Sequence, residues 1–173
     1  MSKLILANKN NISDIMRIIN DAKVYLKNQG SNQWNLPDGY PNEEVLLNDI
    51  NNNECYLYIE DNDIIGIMVI MERIDENYTE IDGKWVNNDK YVSIHRIAVR
   101  NDYHNKQIGY KMLKLAENII KSKGIFSIKI DTHKINLPMI KTLNKLDYTY
   151  CGVITLKRSK EDNLRNAYQK LLK

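Results

Sequence analysis

The residues best able to do chemistry gather where a strand runs into a helix. The run Ile97-Ala98-Val99-Arg100-Asn101-Asp102-Tyr103-His104-Asn105-Lys106-Gln107-Ile108-Gly109-Tyr110 reads as a strand end, a polar turn and a helix opening near Lys106. The first N–H groups of a helix have no intrahelical partner, so such a junction suits an anion, and Gly109 lets a ligand approach the backbone. Two residues before Ile97 stands His95, whose imidazole, with a reference pKa of ~6.5, suits proton transfer near neutrality. Glu72, at the end of the preceding strand, is the second candidate for a base. His104 falls in the turn, where a phosphate contact and plain exposure both remain open, and His133 ends a strand without a role. Cys151 reads as a small buried hydrophobe.

Other chemistries lack their residues. The patterns GxxxxGK(S/T), GxGxxG after a strand, HExxH, GxSxG and CxxC are missing, which disfavours nucleotide hydrolysis, dinucleotide redox chemistry, zinc proteolysis and serine hydrolysis. No His/Cys cluster suggests a metal. With 173 residues, 43% hydrophobic and 27% charged, one globular domain over 1–173 is expected. Apolar runs are too short for a membrane span, no signal-peptide core forms before Asn8, and two distant cysteines suit a reducing compartment, so a cytoplasmic location is expected. The net charge of +3 hides an asymmetry: residues 1–90 hold 8 Lys+Arg against 16 Asp+Glu, and residues 91–173 hold 17 against 6. Such halves suit an anion on one side and a cation, or nothing, on the other. The basic side chains form no stripe interleaved with aromatics, so nucleic acid is not an expected partner.

Several elements must position the junction. Residues 3–7 suggest a strand; Asn11 offers an N-cap for a helix with Ile12, Ile15, Met16, Ile19, Ala22 and Leu26 inward. A turn-rich stretch around Trp34 and Tyr40 leads to a helix opening at residues 41–44. Residues 55–60 and 64–74 read as a hairpin, followed by a polar excursion over 75–90. In strand 91–100, Val92 and Ile94 set one alternation phase while Ile97 and Val99 follow the other. Either a β-bulge near His95-Arg96 or a strand apolar on both faces accounts for this. A helix with Ile108, Met112, Leu115 and Ile119 inward, a strand over 126–130, a helix from Pro138, a strand over 148–156 and a last helix over 161–172 complete an α/β domain with a mixed sheet.

At residues 91–148 the chain resembles the GNAT N-acetyltransferase superfamily. Arg96-Ile97-Ala98-Val99 is similar to its motif strand, and His104-Asn105-Lys106-Gln107-Ile108-Gly109 occupies its Gln/Arg-x-x-Gly-x-Gly/Ala loop, with His104 and Gln107 as departures. Asn136 to Tyr148 is similar to the Asn-x-x-Ala-x-x-Leu-Tyr-x-Lys-x-Gly-Phe segment; Asn136 and Lys145 match, and Leu143 stands where the family often has a thiolate-protonating Tyr. The resemblance implies a central sheet of about six or seven strands flanked by about four or five helices, with a bulge in strand 91–100. It implies acetyl-CoA as co-substrate, without a metal, held by Ile97, Ala98, Val99, His104, Asn105, Lys106, Gln107, Ile108, Gly109, Tyr110 and Asn136. It further implies direct attack by a primary amine of a small molecule or peptide, with His95 and Glu72 as catalytic candidates and Trp34, Tyr40 and Glu72 toward the acceptor. A homodimer is left open. A non-catalytic CoA-binding sensor of the same fold is the alternative.

Overall fold

The computed structural model describes residues 1–173. Its strands are β1 (Ser2–Leu6), β2 (Cys55–Glu60), β3 (Asp63–Met71), β4 (Asp82–Gly83), β5 (Val92–Val99), β6 (Ser127–Thr132), β7 (Thr149–Thr155) and β8 (Leu164–Leu171). Its α-helices are α1 (Ile12–Asn28), α2 (Glu43–Asn51), α3 (Ile108–Ser122) and α4 (Leu137–Lys145). The strands hydrogen-bond in the order β1-β2-β3-β5-β6-β8-β7-β4, a mixed sheet of eight. Two strands exceed the sequence expectation. One is the two-residue β4, and the other is β8, which replaces the helix expected over 161–172. Leu164 and Leu171, whose seven-residue spacing suggested a helix face, are the exposed ends of this strand, while Arg165, Ala167, Tyr168 and Gln169 are buried. β8 pairs with β6 on one side and β7 on the other, and an inner strand buries both faces.

The chain divides into two compact units, Met1–Ile70 with Arg96–Ala116, and Met71–His95 with Glu117–Lys173. In the first, Ile15, Ile18, Ile19 and Ala22 of α1 and Leu46 and Ile50 of α2 form a core with Leu57, Ile67 and Ala98. Each fully buried Ile or Leu there contributes about 1.5–3 kcal/mol. Asn11 does not cap α1 as expected. Its Oδ1 accepts the Asn8 N–H at 2.9 Å and Asn8 Oδ1 accepts the Asn10 N–H at 2.9 Å, which closes a short 3-10 turn ahead of the helix. Asn42 caps α2 by accepting the Val45 N–H at 3.0 Å. The β2–β3 turn puts Asp61 and Asn62 at φ 51° and 70°, the left-handed pair that matches strand twist in a two-residue hairpin. In mid-β5, Arg96 has φ 53°. Of the two readings of that strand's phase change, this is the bulge.

The buried stripe of α3 comprises Ile108, Met112, Leu113, Ala116 and Ile120, so the helix is rotated from the expected face: Leu115 and Ile119 are only half-buried. In the second unit β5 starts parallel to β6, with Val92 opposite Ile128 and Ser93 opposite Lys129. Residues 75–90 form the polar excursion expected, mostly exposed but pinned to the unit by three buried residues, Asp75, Tyr78 and Trp85. Tyr78 and Trp85 are buried with Cys151, Ile154 and Ala167, and Trp85 Nε1 donates to Tyr78 O at 3.0 Å. The fully buried Gln169 fastens this stretch: its Oε1 accepts the Val86 N–H at 2.8 Å, and its Nε2 donates to Asn87 Oδ1 and Ser127 Oγ, both at 2.9 Å. β4 lies against β7 with Gly83 opposite Gly152; a β-carbon on Gly83 would stand 2.2 Å from Cys151 O, and one on Gly152 would stand 2.2 Å from Asp82 O. No helix is long and apolar enough to cross a membrane.

Candidate active site

In the first unit the strand–turn–helix junction has the backbone its sequence suggested. Arg100 N–H donates to Ile65 O at 2.8 Å, a 3-10 turn covers Asn101–Tyr103, and α3 opens with the Lys111 N–H donating to Gln107 O at 3.1 Å. Asn105 and Gln107 are left-handed, at φ 66° and 56°. A left-handed Gln107 followed by helical Ile108 turns successive N–H groups to one side, the concave arrangement that holds anions. Gln107 thus keeps the conformation that glycine would adopt freely. Ile108 is buried and anchors the helix start, and a β-carbon on Gly109 would meet no atom within 4 Å beyond its chain neighbours and the helix's own backbone, so open space lies directly over the first turn. Lys106 carries its ammonium 4.4 Å from the centre of the Tyr103 ring.

His104 is occupied internally. Its Nε2 lies 3.3 Å from Val99 O, which can only accept, so Nε2 carries the proton, and the ring stands edge-on to Tyr25 at 4.2 Å. Tyr40 accepts a hydrogen bond from Arg96 Nη1 at 2.6 Å. Trp34 is half-buried against the core of the first unit, with φ 64°.

In the second unit His95 is surrounded by groups the sequence reading did not connect. Its Nε2 lies 2.7 Å from Asp75 Oδ2 and its Nδ1 3.8 Å from Asp131 Oδ1. The short contact joins the two side chains as an ion pair once the imidazole is protonated. Tyr78 donates to Asp131 Oδ1 at 2.6 Å and faces the imidazole at 5.8 Å between ring centres. Asp75 accepts the Asn77 N–H at 2.8 Å, and its own N–H donates to the Tyr91 hydroxyl at 3.2 Å. Burial pushes the Asp75 carboxyl up, but His95 and Asn77 together hold it below the usual range. Burial, then Asp131 and Asp75, push the Tyr78 phenol well above its ordinary value, so it stays a donor. The His95 side chain keeps 17% of its surface exposed against 7% for Asp75, so the imidazole is the more exposed member of the pair.

Glu72 forms a surface ion pair with Lys123 at 2.6 Å. Asn136 caps α4, its Oδ1 accepting the Met139 N–H at 3.4 Å. Leu143 and Tyr148 are buried, and burial pushes the Tyr148 phenol well above its ordinary value. The Cys151 thiol is likewise raised by burial, and that of Cys55 is pushed up to about 12. Asp49 was legible in principle: it falls between Leu46 and Ile50 on the inner stripe of α2, where an acid demands a cation.

Comparison with known proteins fits this layout. A family model described as the acetyltransferase (GNAT) family matches residues 22–148. No curated protein matches the chain. The crystal structure of a GNAT-family acetyltransferase from Streptococcus agalactiae is 32% identical over 99% of this chain and 96% of that one, with a TM-score of 0.90. The PaiA N-acetyltransferase of Thermoplasma acidophilum, solved with coenzyme A, is 18% identical over 99% of both chains, at a TM-score of 0.67. An aminoglycoside acetyltransferase, AAC(6')-Ib, also solved with coenzyme A, is 15% identical over 99% of this chain and 95% of its own, at 0.71. At those last two identities the likeness speaks for the fold alone. The kinked β5, the left-handed turn at the head of α3 and a family match spanning both lead to one conclusion: the chain belongs to the GNAT family of acetyltransferases.

Proposed function

We propose that the protein is a single-domain, cytoplasmic N-acetyltransferase that uses acetyl-CoA to acetylate the primary amine of a small molecule or peptide, by direct attack in a ternary complex. The observation that carries the reading is the left-handed Arg96 in mid-strand, immediately before Ile97, Ala98 and Val99. A bulge frees backbone N–H groups from regular pairing, and such groups aimed at a thioester carbonyl stabilise the oxyanion that forms when an amine attacks. Asn105 to Tyr110 would take the pyrophosphate, and the open space over Gly109 fits a phosphate brought onto the backbone.

His95, two residues before Ile97, accepts the proton of the attacking amine. A lysine-like amine is only about one part in 10³ neutral at pH 7, so this step matters. Asp75 holds the imidazole. As the N–C bond forms, the C–S bond breaks and the CoA thiolate leaves as the anion or takes a proton from water. The acceptor is cationic, attracted by the acidic residues 1–90, and acetylation of an aminoglycoside by one structural neighbour is a precedent for such an amine. The test is thiol release from acetyl-CoA over a panel of primary amines. Release with at least one amine, saturable in both substrates, is expected. CoA binding without release from any amine would refute transfer and favour the sensor reading.

A further inference from the structure

The side chain of Arg96 is 10% exposed and is bound on three sides within its own unit. Nε donates to Asp49 Oδ2 at 2.7 Å, Nη2 to Asp49 Oδ1 at 2.8 Å, and Nη1 to the Tyr40 hydroxyl at 2.6 Å. Its guanidinium carbon lies 5.6 Å from the centre of the Tyr40 ring. Asp49 is completely buried on α2, so the two-pronged pair is out of water and sterically fixed. The backbone of the same residue is left-handed, at φ 53°, which a β-carbon disfavours and which persists only where the surroundings impose it.

We propose that Arg96 is a positioning residue: its fork on Asp49 and Tyr40 holds the β5 backbone in the left-handed kink, and the kink aims the N–H groups of Ile97 to Val99. Each of the three guanidinium nitrogens donates one hydrogen bond inside the protein, and only 10% of the side chain is exposed. Burial alone would lower the pKa of the guanidinium, but the Asp49 and Tyr40 contacts outweigh it, so the clamp stays charged. A lysine cannot replace it, since a single ammonium cannot span both carboxylate oxygens and the phenol. The consequence for catalysis rests on the acetyl-transfer reading; the consequence for the backbone does not.

The test uses the full chain and four variants: Arg96→Lys, Asp49→Asn, and the doubles Arg96→Gly/Asp49→Leu and Arg96→Ala/Asp49→Leu. The doubles remove the buried pair together, and the room vacated by the arginine accepts the leucine. Three readouts are taken: amide hydrogen exchange over residues 96–99, the dissociation constant for CoA, and kcat with KM for the amine. Arg96→Lys and Asp49→Asn should exchange at least tenfold faster over 96–99 and lose about 10- to 100-fold in kcat, the scale of a misaimed oxyanion donor, with CoA affinity within twofold. Glycine adopts φ 53° freely and alanine does not, so the glycine double should recover at least fivefold more kcat than the alanine double, and slower exchange. Unchanged exchange in a folded Arg96→Lys variant, or equal behaviour of the two doubles, would overturn the proposal. So would loss of CoA affinity in step with kcat. If the unaltered chain transfers no acetyl group, the acetyl-transfer reading fails by itself and hydrogen exchange still decides the role of the clamp.

Discussion

Replacing Gly109 with alanine separates folding from cofactor binding, because the added methyl enters empty space. Beyond its chain neighbours and the helix's own backbone, no atom lies within 4 Å of that β-carbon, and Gly109 is the second residue of α3 with no left-handed backbone to relieve. In the free protein the change should be favourable. Alanine in place of a helical glycine gains about 0.5–1 kcal/mol, mostly by restricting the unfolded chain. At this chain length that raises Tm by about 1–4 °C. With CoA the sign reverses. A phosphate oxygen at hydrogen-bonding distance from the first-turn N–H groups must pass within van der Waals range of the new methyl. The loss of one charge-assisted hydrogen bond, about 1.5–3 kcal/mol, weakens binding about 10- to 150-fold. Differential scanning fluorimetry and calorimetric titration with CoA measure the two effects on one sample. A variant with raised Tm and a CoA dissociation constant within twofold of the original would refute the placement of the phosphates at α3.

Four further outcomes follow from the same geometry. His95→Ala should lose ~10²-fold or more in kcat with CoA affinity within twofold; a variant that keeps most of its kcat in steady-state assays would remove His95 as the base. Asp75→Asn should destabilise the protein at neutral pH. Because the folded carboxyl titrates below its unfolded value, its contribution is present above about pH 4 and fades as pH falls through the folded value, so the Tm deficit should shrink in acid melts. Gln107→Gly should relieve a left-handed side chain and raise Tm by about 1–3 °C without loss of CoA affinity; a fall in Tm would show that the glutamine side chain carries the loop. Gln169→Leu should strip Val86, Asn87 and Ser127 of partners, cost about 2–3 kcal/mol in chemical denaturation, and expose residues 75–90 to protease first.

Much of this arrangement was written locally. The break in alternation between Ile94 and Ile97 pointed to a bulge near His95-Arg96 but fitted a strand apolar on both faces equally well; the left-handed Arg96 decides between them. The open glycine at the head of α3 was equally local. What escaped depends on partners far along the chain. Asp75 reads as part of an acidic run until folding sets it against His95, twenty residues on; Asp49 and Tyr40 meet Arg96 across still longer separations. β8 was misread for a different reason. A strand buried on both faces can hold Arg165 and Gln169 inside and leave leucines at its ends, which erases the alternation that would have marked it.

The glycine pair joining β4 to β7 bears on how such a chain can drift. Gly83 and Gly152 each leave the other's strand no room for a β-carbon, so neither can compensate a change in the other, and both must stay as they are while the contact lasts. The other fixed positions around Gly83 are held by side chains: Tyr78 and Trp85 are buried, Asp75 lies against His95, and Val86 and Asn87 are bonded to Gln169. The segment between β3 and β5 is therefore free to diversify only at exposed positions such as Thr79, Glu80 and Asn88, with the glycine pair as the point where no side chain of any kind fits. Replacing that point would release the edge of β7 as an unpaired strand and trade a folding defect for self-association.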